Sequence, residues 1–557
     1  MRPTPPQRAH LIILGALILP LLPLLVAGCH GSADNSQNSA ATSQTSAAGG
    51  SAASLGGSGD AIRVNFNQAV SAAAGTKVPT HREGLEFERG RELGVPSKPT
   101  TGTRKQLAKP ASAAPQLPGI SFCTLATSLC VPFDGIDQAA APGFPPDPNA
   151  AVGAGNIVEV VNGLMQITDR RGAVQCKAAV TLQAFLGNTA DNLTDPHVQF
   201  DNVNQRFIFV VTVSPPVTAS SEPAMWVATS ETQDPCGNWF AYRLTFHGDA
   251  YAKGRLLDFP IVGQDTNAIL ISIRTCNTDY TNCNYFTIYG LPKSIVYTGT
   301  HVDFNCFEVD SLTAPVINAG QPMIASPASF FLAAVPGTGY KLYRLTNSGG
   351  TGASLSKTTI SAPFSAPSRA VNQPNTTVTL NSSDGNITSS PYFDGTFIWF
   401  VHDGDDDGFP TVLYGKVDTG NNTVASTWAF HSGSSDDFNP SLTVGITPSG
   451  ETVYLNWAFT DQKAGTPTTP LFAFGDATKP LVTIAGAGTI YGPGSTASGV
   501  ASCTSNPCRF GDFSSVSLDP SVNGCAFATQ EYFGTDGNWK TRITPIGHCE
   551  TAVIANP

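Results

Sequence analysis

The sequence has 557 residues and a net charge of −11, and charged residues make up only 13% of it. Such an acidic chain without RNP, zinc-finger or helix-turn-helix patterns argues against a nucleic-acid partner, because phosphate binding needs a concentrated basic surface. The sequence has no GxxxxGK[ST] or strand-linked GxGxxG motif, which argues against nucleotide binding, and no GxSxG motif of serine hydrolases. Its 54 glycines and 42 prolines indicate short strands and tight turns rather than long helices.

Residues 1–28 have the pattern of a bacterial lipoprotein signal peptide. Arg2 and Arg8 precede a long apolar run that ends in Val-Ala-Gly-Cys. This ending resembles a lipobox, and the resemblance implies that Cys29 carries palmitate-type chains and anchors the protein in the membrane. An ordinary signal peptide with an incidental cysteine is the alternative. We predict an exported protein of the bacterial cell envelope, with the outer membrane or cell surface favoured because His30, not Asp, follows the cysteine.

Residues 29–115 are predicted to form a lipidated, flexible linker. Residues 30–60 are rich in Ser, Ala and Gly and have too little apolar content to build a core. Residues 61–115 remain polar and are rich in Arg and Lys. This basic stretch is either a solvated linker or a contact with anionic lipid or wall polymer.

From about residue 116 to residue 557 the sequence predicts one all-β domain, a β-propeller. Seven similar units each have a polar opening, usually with Pro, then a short strand, a turn and a longer strand; they begin at Asp147, Asp195, Asp258, Gln321, Ser390, Asn439 and Gly511. This spacing is typical of propeller blades, and we predict six to eight blades, with seven preferred. We expect Pro to be the first residue of each innermost strand, where no ladder N–H is needed. Tandem β-sandwiches are the alternative.

Two segments with a shared pattern point to a known family of propellers. TQDPCGNWFAYRL at 232–244 and GTDGNWKTRI at 534–543 both place Gly-Asn-Trp after an Asp, which resembles a degenerate Asp-box. The blocks at 133–163 and 509–543 are similar to those of secreted bacterial sialidase-like propellers with BNR (Asp-box) repeats. The resemblance implies a propeller fold and export, with Asp holding a turn and Trp packed between sheets. It implies no activity common to the family.

The polar residues at the unit openings are the candidates for chemistry. If these openings face an axial funnel, two carboxylates about 5–10 Å apart there could cleave a glycosidic bond. The alternative is that these side chains cap turns and line a water-filled channel. The candidates for catalytic residues are Asp147, Asp195, Asp258, Asp512, His197 and Arg509, with Asn439 at a further opening.

A sialidase would also need an arginine cluster and a Tyr–Glu pair. Arginines are present at positions 206, 274, 509 and 542, and Glu531 precedes Tyr532. Neighbouring residues on a strand point to opposite faces, so Glu531 and Tyr532 are not expected to act together.

The segment HDGDDDGFP at 402–410 contains alternating carboxylates that suit Ca²⁺. Asp403, Asp405 and Asp407 stand in an Asp-x-Asp-x-Asp-Gly arrangement. The position of the bidentate Glu of an EF-hand is Tyr414, so the match is incomplete. The segment is either a structural calcium site or an acidic hairpin turn. We predict no other cofactor.

Eleven cysteines besides Cys29 predict disulfides, because exported proteins fold under oxidising conditions. Zinc is the alternative, although the chain has no CxxC or HExxH motif. Cys306 is the predicted unpaired cysteine. The predicted pairs are Cys123–Cys130, Cys276–Cys283, Cys503–Cys508, Cys525–Cys549 and Cys176–Cys236.

These features favour an exported, lipid-anchored propeller that binds a glycan or another surface partner such as a protein. A glycoside hydrolase or lyase acting through the axial carboxylates is the first alternative, and a non-catalytic adhesin or scaffold is the second. An enzyme predicts a deep axial pocket with at least two close carboxylates. A binding module predicts a shallow or plugged channel with exposed aromatic side chains on its rim.

Overall fold

The computed structural model of the protein describes the part of the chain that forms a closed ring of sheets. The described residues are 56–73, 132–188, 190–214, 222–251, 254–277, 282–318, 326, 328–348, 350, 352–430, 434–447, 450–476, 489–490, 506–547 and 549. The signal peptide, Cys29 and the predicted pair Cys123–Cys130 lie outside these residues. No helix within the described ranges is long and apolar enough to cross a membrane.

The described part of the chain begins with two strands and a helix, followed by a strand that belongs to the last sheet of the ring. These elements are β1 (Gly56–Gly59), β2 (Ala61–Asn65), α1 (Phe66–Ala73) and β3 (Phe133–Asp137). Sheet I follows with β4 (Asn149–Val152), β5 (Ile157–Val161), β6 (Leu164–Thr168) and β7 (Val180–Thr181), and then the short helix α2 (Leu182–Phe185). Sheet II contains β8 (Asn192–Asp201), β9 (Arg206–Ser214), β10 (Ala224–Ser230) and β11 (Asn238–His247).

The third and fourth sheets have the same antiparallel plan. Sheet III contains β12 (Arg255–Gln264), β13 (Ala268–Asn277), β14 (Tyr285–Pro292) and β15 (Val302–Val309), with helix α3 (Lys293–Val296) between its last two strands and a short 3₁₀ helix (Asp249–Tyr251) before it. Sheet IV contains β16 (Ala314–Pro315), β17 (Ser329–Val335), β18 (Gly339–Thr346) and β19 (Ser354–Ser361).

Three further sheets complete the ring. Sheet V contains β20 (Tyr392–Phe393), β21 (Phe397–Asp406), β22 (Phe409–Asp418) and β23 (Thr423–Phe430). Sheet VI contains β24 (Asp436–Thr447), β25 (Gly450–Asp461), β26 (Thr466–Asp476) and β27 (Thr489–Ile490). Sheet VII contains β28 (Ser515–Leu518), β29 (Cys525–Phe533) and β30 (Trp539–Gly547), and its fourth strand is β3 from near the start of the described chain.

The first strand of each sheet lies at the axis of the ring, and hydrogen bonds join consecutive sheets there. In sheet I, the Asn149 side chain accepts from Val198 N of sheet II at 3.0 Å. Further round, Phe393 N donates to Ile317 O at 2.9 Å, which joins sheet V to the segment after β16. The last sheet returns to the first, because Ala150 N donates to Ser515 Oγ at 2.9 Å. Consecutive antiparallel sheets arranged in a closed ring are a β-propeller, which confirms the predicted fold.

Strand β3 closes the ring by completing the last sheet with residues from the beginning of the domain. It pairs antiparallel with β30, with Phe133 opposite Ile543 and Asp137 opposite Lys540. The buried Glu159 of β5 accepts from Ile136 N in this strand at 3.0 Å. The closing strand is therefore bonded to both the last sheet and the first.

The predicted linker is wrong for residues 56–73, which fold onto the ring. Strand β1 pairs with β11 on one side and β15 on the other, so sheets II and III become one continuous sheet. Strand β2 continues along β11. The sequence Gly-Gly-Ser-Gly looks like linker, but its small residues are what allow a strand to fit between two sheet edges. A Cβ atom on Gly57 would lie 2.5 Å from the Thr245 carbonyl oxygen.

The openings of the units differ from the prediction in one respect, because Pro lies inside the inner strand in three sheets. In β8, β12 and β24 the register shifts where the Pro occurs, as in a β-bulge. The residue before each of these prolines, and before Pro148, has a positive φ; these residues are Asp147 (50°), Asp195 (56°), Phe259 (56°) and Asn439 (52°). In the fourth unit the inner strand is Ala314–Pro315, upstream of the predicted start at Gln321, which lies outside the described residues.

The two Asp-box-like segments form turns that place tryptophans in the core. The Asp234 carboxylate accepts from Cys236 N at 2.9 Å, and the Asp536 carboxylate accepts from Asn538 N at 3.3 Å. Trp239 and Trp539 are fully buried. The first turn joins the third and fourth strands of its sheet and the second joins the second and third, so the two turns are not structurally equivalent.

Three predicted disulfides are present: Cys176–Cys236, Cys276–Cys283 and Cys525–Cys549. Cys508 is also disulfide-bonded, while its predicted partner Cys503 lies outside the described residues. Cys306 is free and buried, as predicted. The disulfides are consistent with an extracellular protein.

Candidate ligand-binding site

Aromatic side chains close the ring's axis at the level where the inner strands bulge. The ring centroids of Phe259, in sheet III, and Phe513, just before β28, are 4.7 Å apart. Sheets III and VII are separated by two sheets on one side and three on the other, so their side chains can meet only across the axis. His197 of β8 packs against the same Phe513 ring at 4.4 Å. These three residues, which we call the axial plug, are buried.

Two of the predicted catalytic carboxylates, Asp258 and Asp512, form ion pairs with arginines next to the axial plug. Arg274 Nε donates to Asp258 Oδ2 at 2.9 Å, and its guanidinium lies 5.6 Å from the Phe259 ring centroid. Arg509 pairs with Asp512 at 2.9 Å. All four side chains are mostly buried, and each carboxylate has an arginine beside it.

Asp147 and Asp195 bond to backbone groups of neighbouring sheets. Asp147 accepts from Asp512 N at 2.7 Å and from the Asn162 side-chain amide at 2.7 Å. Asp195 accepts from Phe259 N at 3.0 Å, and its own N–H donates to Asn162 Oδ1 at 2.9 Å. Asn439 has a similar role, since its side chain donates to Gly511 O at 2.8 Å. The openings of these units therefore contain hydrogen-bonded connections between sheets.

A cavity of about 480 Å³ extends along the axis on the other side of the plug. Its wall includes β4, the second half of β8 and β28 with the turn that follows it. At the far end the wall contains the partly exposed Asn202 and the exposed Ser521 and Asn523. The cavity therefore begins at His197 and reaches the surface at the end of the ring where the inner strands finish.

The position of the cavity differs from the predicted funnel. We expected the axial site at the openings of the units, but Asp147, Asp195, Asp258, Asp512 and Arg509 are absent from the cavity wall. Of the predicted catalytic candidates, only His197 lines it. The reason is that these residues have other partners: Asp147 and Asp195 accept from backbone groups of neighbouring sheets, and Asp258 and Asp512 pair with arginines of their own units.

Most of the polar groups on the cavity wall are hydroxyls and amides. Several of the serines bridge the inner strands of neighbouring sheets: Ser517 Oγ accepts from Val152 N at 3.0 Å, and Ser514 Oγ donates to Ser441 Oγ at 3.0 Å. Among the described residues the wall contains one carboxylate, Asp519, which is paired with Arg170 through both oxygens. The lining therefore combines neutral polar groups with apolar side chains such as Val152, Leu442 and Leu518, and it carries almost no net charge.

Two buried polar atoms on this wall have no hydrogen-bond partner among the described residues. They are Nε2 of His197 and Oγ of Ser389. The other ring nitrogen of His197 lies 3.4 Å from the Asn149 side-chain amide. Burial lowers the pKa of His197 to about 3, while a hydrogen bond from its ring to the Pro260 carbonyl opposes this shift. The imidazole is therefore neutral at physiological pH, with one nitrogen that donates and one that accepts.

The residues considered for sialidase chemistry fall into separate groups: Arg274, Arg509 and Glu531 interact electrostatically with Asp512 or with one another, whereas Tyr532, Arg206 and Arg542 have other partners. Glu531 is buried and accepts from Gly511 N at 2.7 Å, whereas the Tyr532 hydroxyl donates to Asp134 at 2.9 Å. Arg542 also bonds Asp134, and Arg206 donates to Ser230 O. Burial raises the pKa of Glu531 to about 8, so this carboxyl is largely protonated at neutral pH.

The segment 402–410 forms a hairpin turn, and its three carboxylates have different environments. Asp407 and Gly408, with φ of 54° and 85°, form the two-residue turn between β21 and β22. Asp403 is fully buried and accepts from Asn439 N at 3.3 Å, while Asp405 accepts from Gly408 N at 3.0 Å. Among the described residues no group of three or more His, Cys, Asp or Glu is arranged to hold a metal ion. The calcium site stays a prediction without direct support.

The structure adds cavity residues that sequence reasoning did not single out. Ser389, Ser441 and Ser514 line the axis, but serines are frequent along this chain and nothing distinguishes these three in the sequence. The expected rim of exposed aromatic residues is also wrong for the described residues. Their exposed large hydrophobic side chains are Ile62, Val174 and Val203, and none of these is aromatic.

No protein-family model matches the sequence, and comparison with curated proteins gives no significant match. Solved structures with some similarity include an exo-β-1,3-galactanase from Phanerochaete chrysosporium, at 13% identity and a TM-score of 0.28, covering 58% of this chain and 81% of that one. A GH93 α-L-arabinofuranosidase of Fusarium graminearum is 10% identical, with a TM-score of 0.34 and coverage of 72% and 92%. A Trypanosoma rangeli sialidase is 9% identical, with a TM-score of 0.34 and coverage of 71% and 59%. None of them is similar enough to assign a family or a function.

Proposed function

We propose that this protein is an exported propeller that binds a neutral glycan in its axial cavity without cleaving it. The observation that carries the proposal is the chemistry of the cavity wall, which offers hydroxyls, amides and one neutral imidazole. Sugars present many hydroxyls, each of which can both donate and accept a hydrogen bond. A wall that has few charges and sets neutral polar groups beside apolar side chains suits a sugar, which has hydroxyls and C–H faces, better than it suits a phosphate.

The same wall argues against glycoside hydrolysis at this site. Most glycosidases use two carboxylates that flank the scissile bond. The described part of the chain contributes one carboxylate to the cavity, that of Asp519, and Arg170 is bonded to both of its oxygens. The other candidate carboxylates lie at or beyond the axial plug, in contacts between sheets.

The lipid anchor is part of the proposal. An acylated Cys29 would keep the domain at the bacterial cell surface, where envelope or extracellular glycans are available. Metabolic labelling with a palmitate analogue tests this part separately. The Cys29→Ser variant should lose the label and leave the membrane fraction, and a labelled Cys29→Ser protein would contradict the anchor.

A binding screen tests the proposed ligand class. The purified protein is titrated by calorimetry with linear hexasaccharides of glucose, galactose, mannose, xylose and N-acetylglucosamine, and is incubated in parallel with the corresponding chromogenic glycosides. We expect binding of at least one hexasaccharide and no release of chromophore. Absence of binding throughout this panel would refute the proposed function, and chromophore release would favour the hydrolase alternative.

A cavity-filling variant locates the binding. Thr443 lines the cavity and is 6% exposed, so Thr443→Phe places a ring inside it. We expect affinity to fall at least tenfold. Val174 lies far from the axis and is 49% exposed, so Val174→Phe is the matched control and should bind like the wild type. Equal binding by all three proteins would place the site elsewhere.

A further inference from the structure

We propose that Gln199 recognises neighbouring hydroxyl groups of the glycan in the axial cavity, and that the buried Lys293 is a positioning residue that orients Gln199 through Gln264. This inference rests on the proposed function, which concerns the class of ligand. It adds the side chain that selects the ligand and a residue, itself outside the cavity wall, that holds this side chain in place.

Lys293, the first residue of helix α3, is a buried cation whose contacts lead to the cavity. Its side chain is 4% exposed, and its Nζ pairs with the fully buried carboxylate of Asp201 at 2.7 Å. The same Nζ donates to Oε1 of Gln264, a residue of the cavity wall, at 3.0 Å. Burial of an ammonium group is costly unless the group is paired and hydrogen-bonded. A buried lysine that directs one of its donors at a wall glutamine therefore points to a role for that glutamine.

The contacts of Gln264 fix the orientation of its side-chain amide. An ammonium group has only donors, so the Gln264 atom that faces Lys293 is the carbonyl oxygen. The amide nitrogen of Gln264 donates to Phe200 O at 3.1 Å and to Gln199 Oε1 at 3.2 Å. Both N–H groups of Gln264 are thus used within the wall. The amide of Gln264 serves to orient Gln199.

Gln199 ends this series of contacts and is the member that a ligand can reach. It lines the cavity and is partly exposed, whereas Gln264 and Lys293 are buried. Its Nε2 donates to Val262 O, and its Oε1 accepts from Gln264. A side-chain amide can donate two hydrogen bonds and accept two. Among the described residues, one N–H and one acceptor position of Gln199 therefore remain for a ligand.

The chemistry of the Gln199 amide indicates which part of a glycan it recognises. The remaining donor and acceptor belong to one small planar group, so the two ligand groups that they bind must lie close together. Neighbouring hydroxyls of a sugar ring meet this condition, because one can accept from the N–H while the other donates to Oε1. The ligand is therefore a glycan whose units have two free neighbouring hydroxyls. Loss of either hydroxyl leaves part of the amide unpaired, which weakens binding.

The role of Gln199 is tested with a substitution that keeps the length of its side chain. Gln199→Met removes the amide, but Gln264 keeps its bond to Phe200 O and Val262 O keeps its bond from Ser390 Oγ. We therefore expect a nearly unchanged midpoint of unfolding. Affinity should fall roughly tenfold to a hundredfold for each hexasaccharide of the panel that binds the wild type.

Gln530→Met is the matched control for a buried glutamine outside the cavity. Gln530 is 1% exposed, its Nε2 donates to Asn439 O at 3.0 Å, and it is not part of the cavity wall. This variant should lower the midpoint of unfolding and bind like the wild type. Wild-type affinity in Gln199→Met would overturn the inference and leave the proposed function intact. Absence of binding of every hexasaccharide by the wild type would refute both.

Selection of neighbouring hydroxyls is tested with deoxy sugars. Versions of the bound hexasaccharide that lack one kind of hydroxyl group are titrated against the wild type and Gln199→Met. We expect removal of either of two adjacent hydroxyls to weaken binding to the wild type at least tenfold. The same removal should change affinity for Gln199→Met less than twofold, because the amide that binds these hydroxyls is already absent. Equal losses in both proteins at every position would show that Gln199 does not recognise a hydroxyl.

The positioning role of Lys293 is tested by removing both charges of its ion pair. Lys293→Met alone would leave Asp201 buried without its cation, so this change is combined with Asp201→Asn. The introduced amide oxygen can still accept from Val203 N and Asn204 N, which bond to this position at 3.0 and 2.9 Å. We expect the double substitution to lower affinity several-fold in the wild type. In the Gln199→Met protein it should leave affinity unchanged, since Lys293 acts through Gln199.

This comparison separates positioning from a general loosening of the wall. An ion pair with a purely structural role would lower affinity by the same factor in both proteins. Arg243→Met combined with Asp191→Asn is the matched control, because this pair, 2.9 Å apart, lies outside the cavity wall. The control should alter stability and leave affinity unchanged. Equal losses of affinity with and without Gln199 would overturn the assignment of Lys293 as a positioning residue.

Discussion

At the scale of single residues, buried carboxyl groups with raised pKa values make the fold sensitive to pH. Glu159 accepts from Ile136 N, and Glu531 accepts from Gly511 N. Asp437 accepts from Trp457 Nε1 at 2.7 Å and from Ser435 Oγ at 2.6 Å. Burial raises the pKa of Glu159 to about 7 and the pKa values of Glu531 and Asp437 to about 8. Each group is therefore protonated more readily in the folded chain than in the unfolded chain.

The sign of the resulting pH dependence follows from proton linkage. Between the unfolded pKa near 4.5 and the folded value near 8, the folded state binds more protons at Glu531 than the unfolded state does. The free energy of unfolding therefore falls as pH rises through this window and is constant, for this group, above it. The contribution of Glu531 is fully present below about pH 4.5, where both states are protonated.

Glu531→Gln should remove this dependence, because glutamine resembles the protonated carboxyl and does not titrate. We expect the variant to match the wild type near pH 4.5 and to be more stable at pH 8, by an amount on the order of a few kcal/mol. Denaturant unfolding at both pH values measures the difference. A variant that is less stable than the wild type at pH 8 would show that Glu531 is ionised in the folded protein.

At the scale of elements, strand β1 holds two sheets together at their outer edges. The outermost strands β11 and β15 would otherwise leave unpaired N–H and C=O groups, and β1 bonds to both of them. The gap is narrow: a Cβ atom on Gly57 would lie 2.5 Å from the Thr245 carbonyl oxygen and 2.5 Å from the Phe304 ring. Glycine is required at this position for space, since the clash is with backbone as well as side chain.

Gly57→Val should displace β1 and weaken the contact between sheets II and III. We expect the free energy of unfolding to fall by roughly 1–3 kcal/mol and proteolysis within residues 56–73 to accelerate. Gly155 is the matched control, because a Cβ atom there would meet nothing within 4 Å. Gly155→Val should unfold and be cleaved like the wild type. Unchanged proteolysis of Gly57→Val would mean that the strand tolerates the added side chain.

At the scale of the whole molecule, the repeat of strand units was sufficient to predict the propeller. Alternating apolar strands with regular turns leave few other ways to bury a core, and the structure confirms this fold. The pairing of β3 does not follow from the order of the strands in the chain, because β3 lies next to sheet I in sequence but is the fourth strand of sheet VII. The strand at the start of segment 56–73 is not predicted from the sequence for a similar reason. Gly-Gly-Ser-Gly has no apolar periodicity, and the strands with which it pairs are about 190 to 250 residues away.

The site was harder to predict than the fold. The sequence identified polar openings correctly as special positions, but could not show that bulges at Asp195 and Asn439 turn these residues towards neighbouring sheets. The closure of the axis by Phe259 and Phe513 depends on two residues that are far apart in sequence. His197 lies beside Asp195 in the sequence, and the structure places it on the cavity wall with the three residues of β8 that follow it.

Ring closure is the property of the whole molecule that gives the sharpest test. The last sheet of the ring has its full set of four strands only when β3 pairs with β30. Without β3, the edge of β30 loses its partner, Tyr532 and Arg542 lose Asp134, and Glu159 loses the Ile136 N–H. An unpaired edge of this kind is also available for pairing with a second molecule.

Two truncated chains isolate this effect, one beginning at Pro132 and the other at Gln138. Both lack β1, β2 and α1, and they differ only in β3 and the residue before it. Both chains leave the edges of β11 and β15 unpaired, so these edges do not distinguish them, and we expect the longer chain to fold with a single unfolding transition. The shorter chain should unfold at lower denaturant concentration or aggregate, because burial of a carboxyl without its partner and exposure of a sheet edge both destabilise it. Size-exclusion chromatography and denaturant unfolding compare the two. Identical behaviour would show that three strands are enough to close sheet VII, and that the ring does not depend on the strand that precedes it in sequence.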